Sequence, residues 1–164
     1  MATAAFLKII GTSQGDISND CNTPQSMGNG CQTSHKDEIT VLSYSHSISY
    51  ENKSVHKPIQ IVKKIDKSSP LLAQACTDAE SLNCTLRFYR KSPDGACQEA
   101  FYEIVLTGAM IKNITMELPN VQYMGEMEMT EVVDIAYRDI QWKHLSATTN
   151  AYSSWANLLD DLTS

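Results

Sequence analysis

The chain has 164 residues, 42% of them hydrophobic and 20% charged, with a formal net charge of −6 and a pI near 5.1. That length suffices for one domain with a buried core and is short for two. The acidic balance excludes the basic face of a nucleic-acid binder, and no stretch approaches the roughly 18 apolar residues of a membrane-spanning helix, so neither nucleic acid nor membrane insertion is expected.

Ala4 to Ile10 is too short for the apolar region of a signal peptide, and Lys8 interrupts it. The expectation is a protein made in the cytoplasm that, if it leaves the cell, does so without a cleaved signal. Within this stretch Phe6 to Ile10 reads as an opening strand. Gly11 to Ser34 is rich in Gly, Ser, Thr, Asn and Gln and offers almost nothing to bury. It reads either as a surface insertion or as a functional loop.

Asp37 to Tyr50 reads as one alternating strand. Ile39, Val41, Ser43, Ser45, Ser47 and Ser49 fall on one face; Thr40, Leu42, Tyr44, His46, Ile48 and Tyr50 fall on the other. A row of serines is unusual, because solvated strand faces ordinarily carry Lys, Glu and Arg and serine packs little. It is either an ordinary wet face or a smooth neutral surface along which something slides without sticking.

Glu51 to Lys57 reads as a polar link closed by Pro58, and Ile59 to Lys63 as the next strand. Ser68 and Ser69 are N-cap candidates with Pro70 at the first helical position. Leu71, Leu72, Ala75, Cys76 and Ala79 then give the chain's one clear helix its apolar stripe. Leu86–Lys91 and Ala100–Thr107 form a hairpin about the Pro93-Asp94-Gly95 turn. Ile111–Leu118 is a further strand, and Glu131–His144 a long closing one. From Ser146 the chain is a frayed end or a docking segment offering Trp155, Leu158 and Leu159.

Motifs for chemistry are missing. No two of the histidines His35, His46, His56 and His144 have metal spacing, and HExxH, GxSxG, Walker A and dinucleotide-binding glycine patterns are absent. Five scattered cysteines argue against zinc and against a disulfide framework; Cys21 and Cys31 could pair if oxidised. A Cys–His pair such as Cys97 with His35 carries almost no signal. No catalytic residue, metal or cofactor is assigned.

Several strands, one helix, then several more strands imply a mainly β protein. A different signature is present in His35-Lys36-Asp37-Glu38-Ile39, in Lys63 to Leu72 with its core Ile65-Asp66-Lys67-Ser68-Ser69-Pro70, and in Ile140 to His144. With the opening Phe6-Leu7-Lys8-Ile9, these segments in this order resemble the Hcp family of type VI secretion proteins. The resemblance implies an antiparallel two-sheet β-barrel with one flanking α-helix over residues 1–145, followed by a tail, 146–164. It implies no enzyme but a secreted structural subunit: six copies form a ring, rings stack into a tube, and the lumen carries effectors. The partners implied are further copies of the chain, a spike protein, a contractile sheath and effectors. Ser45 matches the family's lumen position that touches cargo, and Ser43 and Ser47 share its strand face. The segment Tyr50, Glu51, Asn52, Lys53, Ser54, Val55, His56, Lys57, Pro58 matches an extended loop that reaches a neighbouring subunit. Competing readings are a monomeric β-barrel binding module, with Tyr44, Tyr50 and Tyr102 as its aromatic candidates, and a secreted effector.

Overall fold

The computed structural model describes residues 3–155; Leu158 and Leu159 lie outside them. Twelve strands are described: β1 (Ala4–Gly11), β2 (Gly15–Asp16), β3 (Ile39–Val41), β4 (Ser43–Ser45), β5 (Ile48–Tyr50), β6 (Ser54–His56), β7 (Ile59–Lys64), β8 (Leu82–Lys91), β9 (Gln98–Glu117), β10 (Thr130–Ala136), β11 (Asp139–His144) and β12 (Thr149–Ser154). Two α-helices accompany them, α1 (Pro24–Met27) and α2 (Ser68–Thr77). All pairings are antiparallel. The first sheet joins β1, β2, β3, β8, the first half of β9, β11 and β12; the second joins β4, β7, β10 and the second half of β9. The two sheets share β9 and fold over one core without closing into a hydrogen-bonded cylinder. The mainly β, two-sheet architecture expected from the sequence is present.

Ile9, Ile39, Ile61, Leu72, Val133 and Ile140 are buried in that core, drawn from both sheets and from α2. Several sequence expectations need correction where strands change sheet. Residues 37–50 do not make one strand. β3 pairs with β1, whereas β4 pairs with β7, and at the corner between them Leu42 and Ser43 are both exposed while Val41 is buried. The alternation therefore slips by one residue, and Ile39 and Val41 do not share the serine face. The strands expected at 100–107 and 111–118 are one 20-residue strand, bent at Gly108. Residues 131–144 are two strands, β10 and β11, parted where Tyr137 and Arg138 turn the corner.

Gly108 carries φ +61, and a Cβ there would stand 3.1 Å from the Cβ of Arg138. Its carbonyl accepts the Arg138 N–H at 3.1 Å, so the two bends are locked together. Gly108→Val should cost about 1–3 kcal/mol, read as a lowered urea midpoint with an unchanged slope; an unchanged midpoint would show that the corner does not depend on the left-handed backbone.

The loop at 11–34 buries more than its composition suggests. Ile17 and Cys21 enter the core, and Ser18 and Asn22 are buried beside them. Asn22 Nδ2 donates to Thr40 Oγ1 at 2.8 Å and its Oδ1 accepts the Gln32 N–H at 2.8 Å. The loop also contains α1, a second helix the sequence did not suggest. Residues 51–57 are no mere link, since Ser54–His56 is a strand. The tail segment Thr149–Ser154 pairs with β11 along its length, and all five cysteines are free.

Candidate functional site

Ser43 and Ser45 sit on the outer face of the second sheet, in β4, whereas Ser47, expected on the same strand face, lies beyond the strand in the link to β5. Ser43, Ser45 and Ser47 are exposed, whereas Tyr44 and His46 between them are half-buried. Cross-strand partners project to one side of a sheet, so the register extends this face across four strands. Ser45 pairs with Gln60, Gln60 with Asp134, and Asp134 with Asn113. One row along, Ser43 pairs with Val62, Val62 with Val132, and Val132 with Thr115. Gln60 Nε2 donates to Asp134 Oδ1 at 3.0 Å, and Asn113 Nδ2 donates to Thr115 Oγ1 at 3.2 Å. The two rows form a wall of short, mostly neutral side chains whose single carboxylate is already engaged. Charge returns at the rim, where Lys64 pairs with Glu128 at 2.9 Å.

The segment 50–58 forms a separate hairpin, β5 paired with β6. Its turn uses Asn52 at φ +64, a left-handed position that Asn tolerates. Tyr50 is 79% exposed and Ile48 43%, so the tip presents apolar surface with no cover from its own subunit. Glu51, Asn52, Lys53 and Ser54 are exposed and Val55 is half-buried. His56, by contrast, is buried. Its Nδ1 lies 2.6 Å from the Tyr137 hydroxyl and its Nε2 3.0 Å from Ser153 Oγ. His46 Nε2 approaches the same hydroxyl at 3.0 Å. Trp155 stacks on His56 and meets Tyr137 edge-on. Two of the four histidines that look scattered in the sequence, His46 and His56, thus meet on one phenol, a cluster the sequence reading missed.

The segment Ile65 to Pro70 forms a second constellation, also missed, and it is structural. Asp66 Oδ1 accepts the Ser68 N–H at 2.8 Å, and Ser69 Oγ accepts the Asp66 N–H at 3.0 Å. This is a reciprocal capping box with Asp66 as the cap; Ser68 and Ser69, expected to cap the helix, lie inside its first turn. Between the cap and β10 lies Lys63, with no exposed side-chain surface. Its Nζ donates to Glu131, to Ser69 Oγ at 3.2 Å and to the Lys64 carbonyl at 3.0 Å, and forms an ion pair with Asp66 at 3.1 Å. Glu131 Oε2 is buried with no hydrogen-bond partner among the described residues. A signal was available: Lys63 is in phase with buried Ile59 and Ile61, and Glu131 with buried Val133 and Ile135.

Chemical competence for catalysis does not emerge from these groups. Burial pushes the thiols of Cys21 and Cys84 up to about 12, far from thiolate character. His35 stacks on Phe6 at 3.7 Å and faces Glu38, while the Cys97 sulfur lies beside Ser92 Oγ. Tyr44 and Tyr102 both contact Phe88 in a half-buried cluster, with Tyr50 apart at the hairpin tip. Among the described residues no group of three or more His, Cys, Asp or Glu is placed to hold a metal ion.

Comparison with known proteins gives concordant results. The family described as "Type VI secretion system effector, Hcp" matches residues 6–144. The "Major exported protein" of Pseudomonas aeruginosa is 35% identical, with 94% of this chain and 96% of that protein covered. Among solved structures, the secreted protein Hcp3 from Pseudomonas aeruginosa superposes with a TM-score of 0.85 at 35% identity, covering 94% of this chain and 99% of that one. A crystal structure of an Hcp protein gives 0.88 at 32% identity, covering 94% and 100%.

Proposed function

The chain belongs to the Hcp family of type VI secretion proteins, and from that premise we propose that it is a non-enzymatic ring subunit of the secretion tube. Six copies close head to tail, rings stack, and the tube leaves the producing cell. The spike protein, contractile sheath and effectors are its partners. Ser43, Ser45 and Ser47 face the lumen, and residues 50–58 reach the adjacent subunit.

The observation that carries this reading is the polar wall of the second sheet. A tube that holds and then releases protein cargo needs an inner surface that is wetted, smooth and weakly charged. Long Lys or Glu side chains would obstruct the bore, and apolar ones would bind cargo irreversibly. The row Ser45, Gln60, Asp134, Asn113 meets that requirement over four strands; in the row beside it Ser43 and Thr115 are exposed, and the apolar Val62 and Val132 between them are half-buried. Ring closure also suits the strand edges. The described residues give β4 a partner only in β7 and β12 a partner only in β11, and a heterologous contact that closes is one way to cover such edges.

Sedimentation or native mass spectrometry over a range of concentrations tests the assembly. The expected mass is a sixfold multiple of the 18.2 kDa chain. A species that stays monomeric at high concentration overturns the proposal. Ser45→Lys should leave that mass unchanged; loss of rings would place Ser45 in a subunit interface instead of the lumen.

A further inference from the structure

The hairpin of β5 and β6 belongs to neither large sheet. Its own ladder closes with one more rung at the base, Lys57 N–H to the Ser47 carbonyl at 3.3 Å, and its two histidines, both on Tyr137, tie it to the body. His46 precedes β5 and His56 ends β6, so the two rings grip the hairpin from both arms. Ser153 and Trp155 bring β12 and the residue beyond it into the same cluster.

A hydroxyl has one proton. Two imidazole nitrogens face the Tyr137 oxygen, at 2.6 and 3.0 Å. If one is bare and the other carries hydrogen, the phenol donates to the first and accepts from the second, and every group is satisfied. One added proton is still accommodated, because one bare nitrogen can remain. A second proton leaves both nitrogens bearing hydrogen. The phenol must then accept from both, its own proton loses its acceptor, and two cations share one oxygen. Burial holds the phenol's own ionisation well above the ordinary tyrosine value, so the phenol does not relieve the conflict by ionising.

The surroundings offer little compensation. Tyr44 on β4 is neutral and also raised by burial. From the corner after β10, Arg138 donates to Asp139, and Asp139 also accepts the Tyr152 hydroxyl at 2.6 Å, so that carboxylate is engaged elsewhere. From β12 come only the Ser153 hydroxyl and, just beyond, the Trp155 ring. The Lys57 backbone hydrogen-bonds His46 and favours its charge, against burial and the charge of His56. No carboxylate contributes to the ionisation of either histidine.

We propose that His46, Tyr137 and His56 form a proton-operated clasp, which holds the hairpin to the body with at most one charge and lets it go when both imidazoles are protonated. This goes beyond the ring proposal and is read apart from it on chain diluted to the monomer, where no neighbouring subunit covers the hairpin. The sign follows from burial, which lowers both histidines. A free imidazole titrates at about 6.5, so the clasp's holding energy is complete above about pH 6.5 and is lost as the pH falls through the lowered values.

Hydrogen exchange on the full chain, corrected for the intrinsic pH dependence, reads this directly. Protection of amides in 47–57 should fall about tenfold or more between pH 7.5 and pH 5, while the β8–β9 amides hold theirs. His46→Gln and His56→Gln each limit the cluster to one charge, and each should flatten that dependence. Constant hairpin protection, an equal loss in β8–β9, or an undiminished pH dependence in both glutamine variants overturns the clasp. If one variant does not fold, the other and the wild-type profile still decide.

Discussion

Lys63→Met should cost about 3–5 kcal/mol of folding stability, the cost of breaking a buried ion pair by removing one partner. Methionine nearly matches the lysine stem in volume, so packing is largely kept and the loss is electrostatic. Without the ammonium, Glu131 keeps the Ser69 hydroxyl on Oε1 but loses its cation, and its Oε2 already has no partner among the described residues. Asp66 then faces it as a second carboxylate with only the capping bonds of Ser68. A domain of this size has about 5–15 kcal/mol in all, so the variant would sit near the unfolding threshold. Urea titration supplies the measurement. The double variant Lys63→Met, Glu131→Leu removes the stranded charge and should recover at least half of the loss, since apolar replacement of a whole buried pair is often neutral. A double variant no more stable than the single one would show that packing, not charge, is what Lys63 supplies.

That cluster also shows how far the sequence could be read. The run Ile65 to Pro70 stood out as a family signature, and within the chain its physical meaning is a capping box joined to a buried cation. Alternation placed Lys63 with Ile59 and Ile61, but a lysine in a strand reads as solvated because a buried one needs partners. Its principal partner, Glu131, is 68 residues away. The strand reading held for segments that stay within one sheet, such as 6–10, 59–63 and 86–91. It failed where a strand passes from one sheet to the other, at Leu42, at Gly108 and after Ala136. There the pleat phase slips or the strand bends, and only the tertiary partner decides where. The serine face was legible as composition, but its continuation through Gln60, Asp134 and Asn113 is a matter of register. His46 and His56 stand 91 and 81 residues from Tyr137, a separation at which spacing carries no information.

Tyr50→Asp should convert the proposed rings to folded monomers. The hairpin tip exposes Tyr50 and Ile48 on one face, and no aromatic contact ties Tyr50 to its own subunit among those the structure describes. A large aromatic left in water costs nothing to mutate in a monomer, so Tyr50→Asp should leave the urea midpoint within about 0.5 kcal/mol of the parent. In a ring the same side chain would enter a neighbour. Burying most of a tyrosine removes about 100 Å² or more of apolar surface and contributes about 2 kcal/mol or more, and an aspartate there adds the desolvation of a charge. The change recurs at every interface of a closed ring, so the penalty multiplies by the number of interfaces. Sedimentation should therefore show a sixfold drop in mass with unchanged circular dichroism, whereas Ser45→Lys, on the wall, should keep the ring. Rings that persist in Tyr50→Asp and dissociate in Ser45→Lys would exchange the two surfaces, putting the serine face between subunits and the hairpin in solvent.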